Sequence, residues 1–130
     1  MNDFYYRKLK VYHLSMQLVA DIYHLTPLFP SHERNGLTNQ IQRAIISVPS
    51  NIAEGMGRFS IKERIHFLDI ANGSLMETMC QLEVALLLGY ISQDQFDKQE
   101  LAIAETTKML IGLRKSLEEK LDLRTGEDTR

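Results

Sequence analysis

A chain of 130 residues is one domain by the usual prior of about 100 to 200 residues, and is long enough to bury a core without staples. Apolar residues at 44% and charged residues at 25% sit at globular averages, while three prolines, seven glycines and no tryptophan leave few of the turn signals that an all-β chain requires. A formal charge of −2 argues against nonspecific nucleic-acid binding by bulk electrostatics, which needs lysine and arginine in excess.

The charge is uneven along the chain: residues 1–66 carry eight basic and five acidic residues, and residues 67–130 carry seven and twelve. If subunits align in a ring, that asymmetry would repeat into one positive and one negative surface. No apolar run approaches the roughly 18 to 20 residues of a membrane span, and MNDFYYRKLK has acid and base before any hydrophobic stretch, unlike a signal peptide. The expectation is a cytoplasmic protein without a membrane partner. A lone cysteine, Cys80, agrees with a reducing compartment, excludes a thiolate metal cage, and reads as a small buried hydrophobe.

The first helix is predicted over Leu9 to about Leu25, on Leu14, Leu18, Ile22 and Leu25 with Val11 and Tyr12 alongside. Pro27 and Pro30 close it, so TPLFPS is a connection with Leu28 and Phe29 tucked against the bundle. The second helix runs from about Glu33 to Met56 on Leu37, Ile41, Ile45, Val48 and Ile52. Pro49 inside it predicts a kink or break, with Ser47 and Ser50 placed to satisfy the freed groups. Gly55 and Gly57 fit a left-handed C-cap and a reversal rather than a phosphate loop, since neither GxxxxGK[ST] spacing nor a preceding strand is present.

Ser60 and Glu63 form the capping pattern SIKE at the start of a third helix reaching Leu88, on Ile61, Ile65, Leu68, Ala71, Leu75, Met79, Leu82 and Leu86, with Gly89 stopping it. Gly73 lies mid-helix between Ala71 and Ser74. Glycine there costs about 1 kcal/mol relative to alanine, which predicts a compensating close approach by another helix. Ser92, with Asp94 and Gln95, starts a fourth helix from Gln93 to about Leu121 on Phe96, Ile103, Leu110, Leu117 and Leu121. Four long amphipathic helices with short connections predict an all-α, antiparallel up-and-down four-helix bundle over residues 1–123, followed by a charged, frayed tail over 124–130.

A four-helix bundle raises the question of a di-metal site, which uses two Glu-x-x-His pairs and two further glutamates. Only Glu63 and His66 form such a pair; His13, His24 and His32 lack a glutamate three residues before them. His13 and His24 lie about 16 Å apart along one helix and cannot share an ion. Ser47, Ser50, Ser60 and Ser74 have helix, cap or packing duties, and no nucleophile elbow or cysteine with an evident base appears. The expectation is therefore no enzyme, no metal and no cofactor, with a di-metal bundle enzyme as the remote alternative.

Arg43, Asn51 and Glu54 form a polar stripe beside the Ile41 line. Two readings stand: a solvated face, or a buried or intersubunit network with Ser74 and Glu77 of the third helix, in which unpaired members would cost about 1 to 3 kcal/mol each. Such networks fix register and partner more than they add stability.

RAIISVPSNIAEGMGR followed by FLDIANGSLMETMCQLEVALLLGYI resembles the 23S rRNA-intervening-sequence proteins over Leu9 to Leu117, most specifically at Arg43, Ala44, Ser47, Pro49, Asn51 to Gly55, Arg58, Phe67, Leu68, Ala71, Gly73, Ser74 and Glu77. The resemblance implies a small four-helix bundle assembled as a homopentameric ring, in some bacteria encoded within insertions in 23S ribosomal RNA genes. A related branch is similar to the accessory variability determinant of diversity-generating retroelements, a basic pentamer that partners a reverse transcriptase and nucleic acid. This chain departs from it in being net acidic.

The combined expectation is a noncatalytic homopentamer that scaffolds RNA or a ribonucleoprotein partner. Arg43, Asn51, Glu54, Gly73, Ser74 and Glu77 would form its interface or polar network, and Arg7, Lys8, Lys10, Arg58, Lys62 and Arg64 its nucleic-acid contacts. A protein-binding module using an acidic surface of helices 3 and 4 is the alternative.

Overall fold

The structure is a computed structural model that describes residues 4–128. Four helices carry the fold: α1 Lys10–Leu25, α2 Leu37–Met56, α3 Ile61–Leu87 and α4 Gln93–Asp128. No strand occurs among the described residues. A 3-10 turn at Tyr5–Lys8 precedes α1, and two more at Thr26–Leu28 and Ser31–Glu33 make the first connection. Each helix packs on the next in sequence, most extensively α2 on α3, and α1 closes the ring against α4. With connections this short the neighbours run antiparallel, giving the up-and-down bundle.

The helix ends are chemically marked. Ser60 Oγ accepts from the Glu63 backbone N–H at 3.0 Å. At α4 the box is reciprocal: Ser92 Oγ accepts from the Gln95 N–H at 3.1 Å, while Gln95 Oε1 accepts from the Ser92 N–H at 2.8 Å. Gly89 at φ +76° ends α3 in a Schellman turn, its N–H donating to Leu86 and that of Tyr90 to Ala85.

The glycines before α3 behave differently from expectation. Gly57 caps α2 at φ −85°, a right-handed geometry, and Gly55 lies inside the helix. Gly55 makes the close approach, because a Cβ there would stand 2.7 Å from Phe67 Cβ on α3. Pro49 does not break α2, which runs unbroken through it. Val48 and Ile52 on either side of it are fully buried and anchor both halves in the core.

The core holds Leu18 and Ile22 of α1, Ile41, Ile45 and Ile52 of α2, Leu68, Leu75 and Leu82 of α3, and the heptad Phe96, Ile103, Leu110 and Leu117 of α4. On α1 the buried line passes through Val11 and Ser15, leaving Leu14 only half-buried. Ser15, Thr78 and Thr106 occupy core positions because each hydroxyl donates to a carbonyl three or four residues earlier. Phe29 is buried as expected, but Leu28 is exposed. Cys80 is also exposed rather than buried: seven residues from Gly73 and three from Glu77, it lies on the outward stripe of α3. Helix α4 continues through Asp128, past the expected end near Leu121 and into the segment expected to fray; residues 1–3 and 129–130 lie outside the described residues.

The far end of the bundle is latched by a side-chain pair. The Tyr90 hydroxyl donates to Glu33 Oε2 at 2.8 Å, and Glu33 Oε1 accepts from the Leu37 N–H at 3.3 Å. The Tyr90 hydrogen bond, helped by that N–H, lowers the Glu33 carboxyl below its ordinary value. The same bond raises the Tyr90 phenol. Phe29 packs on the Tyr90 ring at 5.6 Å, so the latch ties the first connection to the third.

Candidate functional site

Where α2 lies against α3, a polar seam runs along their outer edge. Ser47 and Ser74 meet through their hydroxyls at 2.8 Å. Asn51 Nδ2 donates to both the Ser47 hydroxyl and the Ser47 carbonyl, each at 2.8 Å. Three small or short polar side chains thus replace apolar contact at the seam, and all three are half-buried. Arg43 and Glu77 border it with Gln40 and Ala44, around a surface hollow of about 260 Å³. Glu77 accepts from Gln81 at 3.4 Å.

The structure therefore joins some members of the expected network and separates others. Ser74 and Asn51 are connected through Ser47. Glu54 turns away and pairs with Arg58 one turn on, at 2.9 Å. Gly73 faces open space, with nothing beyond its own turn of helix within 4 Å of where a Cβ would stand. Packing within the subunit does not account for it.

The six cations named from sequence gather at one end of the bundle. Antiparallel helices bring the start of α1, the end of α2, the start of α3 and the end of α4 together. The 3-10 turn carrying Arg7 and Lys8 packs against α2, its Tyr6 edge-on to Tyr12 at 4.9 Å, and Tyr12 lies beside Pro49 and Ala53. Arg58 and Lys62 flank the α2–α3 turn, which Arg64 closes by donating from Nε to the Arg58 carbonyl at 2.7 Å. Arg58 also stacks over Phe67 at 4.7 Å, and Arg7 over Phe4 at 4.8 Å.

Counted over residues 4–10, 54–69 and 114–128, this end holds ten basic and eight acidic residues. The opposite end, residues 21–37 and 83–100, holds two basic and six acidic. Part of this charge is paired internally, Glu54 with Arg58 and both Asp69 and Glu118 with Arg114, which leaves the net charge of the end unchanged. The Asp69 hydrogen bond raises the Arg114 guanidinium further above its ordinary value. Charge divides by bundle end as well as by sequence half.

Sequence periodicity did not single out Phe59, whose side chain is 98% exposed in the α2–α3 turn. It falls between Gly57 and the Ser60 cap, outside either helix's apolar line; the signal available was an aromatic residue beside Arg58 in a turn. Gln81 and Gln99 were likewise unforeseen: both are buried, and neither Oε1 has a hydrogen-bond partner. Among the described residues no group of three or more His, Cys, Asp and Glu is placed to hold a metal ion, and Glu63 and His66 are both exposed. No helix is long and apolar enough to cross a membrane among the described residues.

The family model for the 23S rRNA-intervening sequence protein matches residues 7–112. Among solved structures, the chain is similar to a protein of unknown function from the S23 ribosomal protein family of Bacteroides thetaiotaomicron. The two are 26% identical with a TM-score of 0.75, over 81% of this chain and 98% of that one. No curated protein matches.

Proposed function

The chain belongs to the 23S rRNA-intervening sequence protein family, and from that premise we propose a noncatalytic assembly protein, a homopentameric ring of four-helix bundles that holds RNA or a ribonucleoprotein partner. The observation that carries the reading is the division of charge between the two bundle ends. In a ring with cyclic symmetry every subunit presents the same end to the same side, so five basic ends add into one positive face. Simultaneous contact with several ends multiplies affinity without new chemistry.

Subunit contact falls, in this reading, on the outer face of α2 and α3. Gly73 supports it, since a mid-helix glycine costs about 1 kcal/mol and no contact inside the subunit compensates. The seam also suits a specifying interface: Ser47, Ser74 and Asn51 are already bonded to one another, and Arg43 and Glu77 at its rim are charged groups for a neighbour to pair.

The acidic far end favours one second reading, a protein-binding module without nucleic acid. Two measurements separate the readings. Light scattering at micromolar concentration gives a pentamer mass, and electrophoresis with structured RNA at low salt gives a shift that weakens steeply as salt rises. A monomer mass removes the assembly. An unshifted RNA, with a partner captured equally well after nuclease treatment, moves the function to the acidic end.

A further inference from the structure

We propose that the basic end binds unpaired nucleotides, with the Phe59 ring as the platform on which a base stacks. The inference rests on the RNA reading above and narrows it to single-stranded segments.

Phe59 is almost wholly in solvent, yet its backbone is held on both sides. The Arg58 N–H donates to the Gly55 carbonyl at 3.0 Å, Arg64 Nε binds the Arg58 carbonyl, and Ser60 caps α3. A large ring is thus displayed on a fixed loop at no internal gain. Its charged neighbours in the chain are Arg58, paired with Glu54 and stacked on Phe67, and the exposed Lys62 and Glu63 at the start of α3. Phe4 and Tyr5, both about half exposed, repeat the pairing of aromatic and cation beside Arg7 at the same end.

That combination discriminates among occupants. A protein partner would be met by a contiguous apolar patch, whereas Phe59, 98% exposed, packs against no apolar neighbour of its own subunit. A duplex offers phosphates to the cations but keeps its bases stacked and paired, leaving the ring idle. An unpaired base offers a π-face to Phe59 while its phosphates meet the exposed Lys62 three residues on, and can draw Arg58 only by competing with Glu54. RNA and single-stranded DNA share this chemistry, and only contact with a 2′-hydroxyl would separate them.

The test uses the full chain and three fluorescent probes of one U-rich sequence: a 12-nucleotide RNA, the matching DNA strand, and a blunt duplex. Anisotropy at low salt is expected to show the strand bound at least tenfold more tightly than the duplex. Phe59→Ala should weaken strand binding roughly 5- to 100-fold, leaving duplex binding and the salt slope unchanged, and Phe59→Trp should retain it. Lys62→Ala should weaken both probes and lower the salt slope by about one. Equal affinity for RNA and DNA supports stacking alone; tighter RNA adds a 2′-hydroxyl contact.

Strand binding by Phe59→Ala equal to that of the unsubstituted protein overturns the platform, and persistent salt-dependent duplex binding in that case leaves the RNA reading standing. Absence of binding to every probe removes both. A changed light-scattering mass for Phe59→Ala with unaltered affinity reassigns the ring to subunit contact. Because the side chain touches almost nothing, the variant's thermal unfolding should match the parent's, which separates these outcomes from misfolding.

Discussion

Gly55→Ala tests whether α2 and α3 are as close as they stand here. The added methyl would lie 2.7 Å from Phe67 Cβ and 3.4 Å from the Arg64 carbonyl oxygen. Neither neighbour is the loose end of a side chain, so the helices themselves must part by several tenths of an ångström. Overpacking of this kind costs about 1 to 3 kcal/mol. Against it stands the gain of about 1 kcal/mol from replacing glycine by alanine in a helix interior. The balance is a net loss of about 1 kcal/mol, and Gly55→Val, with more bulk and no comparable propensity gain, should lose more. Urea denaturation followed by helical circular dichroism reads the effect as a lowered midpoint at unchanged slope. A midpoint that stays or rises for Gly55→Ala would refute the close approach.

The remaining predictions follow from neighbouring observations. Gly73→Ala, with nothing of its own chain in the way, should stabilise the dissociated subunit by about 0.5 to 1 kcal/mol and weaken the assembly in light scattering; an assembly of undiminished strength would take Gly73 out of the interface. Ser47→Ala should cost about 1 kcal/mol by leaving Ser74 and Asn51 each one partner short, and an unchanged urea midpoint would show that water replaces the seam. Cys80, exposed on the subunit's α3 face, should react with a thiol reagent more slowly as protein concentration rises, while concentration-independent labelling would leave that face uncovered. Tyr90→Phe should lower stability at neutral pH. Because Glu33 is depressed in the fold, the latch is present above the unfolded carboxyl value and lost as pH falls through the folded one. The raised Tyr90 phenol gives the converse: its contribution is present below the unfolded phenol value and lost as pH rises through the folded one. The gap between parent and variant should therefore close at both extremes, and a gap independent of pH would refute the latch.

The bundle was legible because its cause is periodic. Lines such as Ile41, Ile45, Val48 and Ile52 repeat the helical turn, and the caps at Ser60 and Ser92 are local chemistry, visible without coordinates. Errors arose where a residue's role depends on a partner from elsewhere in the chain. Gly55 and Gly73 both sit inside helices, and nothing in their flanking residues says that one meets Phe67 and the other open space. Cys80 was misplaced for a related reason. Composition makes cysteine a buried residue on average, but its phase on α3 follows Gly73 and Glu77 and faces outward. At Pro49 propensity favours a kink or a break, and the helix is not broken there because the buried residues on both sides hold it together.

Charge shows most clearly what folding adds to sequence. Net charge is a sum, and at −2 it argues against nucleic acid; binding depends instead on where the charges stand. The up-and-down path interleaves the two sequence halves, so the basic N-terminal segment meets the turn at Arg58 and Lys62, while Glu33 and Asp94 go to the far end. Helix α2 alone, at 20 residues, separates the ends by about 30 Å. The Debye length at physiological salt is about 8 Å, so the acidic end lies more than three screening lengths away and does little to weaken a phosphate's attraction to the basic one. A negative molecule can thus hold a polyanion at one end. The corollary is directional: removing acids from the far end should leave RNA affinity at physiological salt nearly unchanged, whereas placing a single acid beside Phe59 should reduce it.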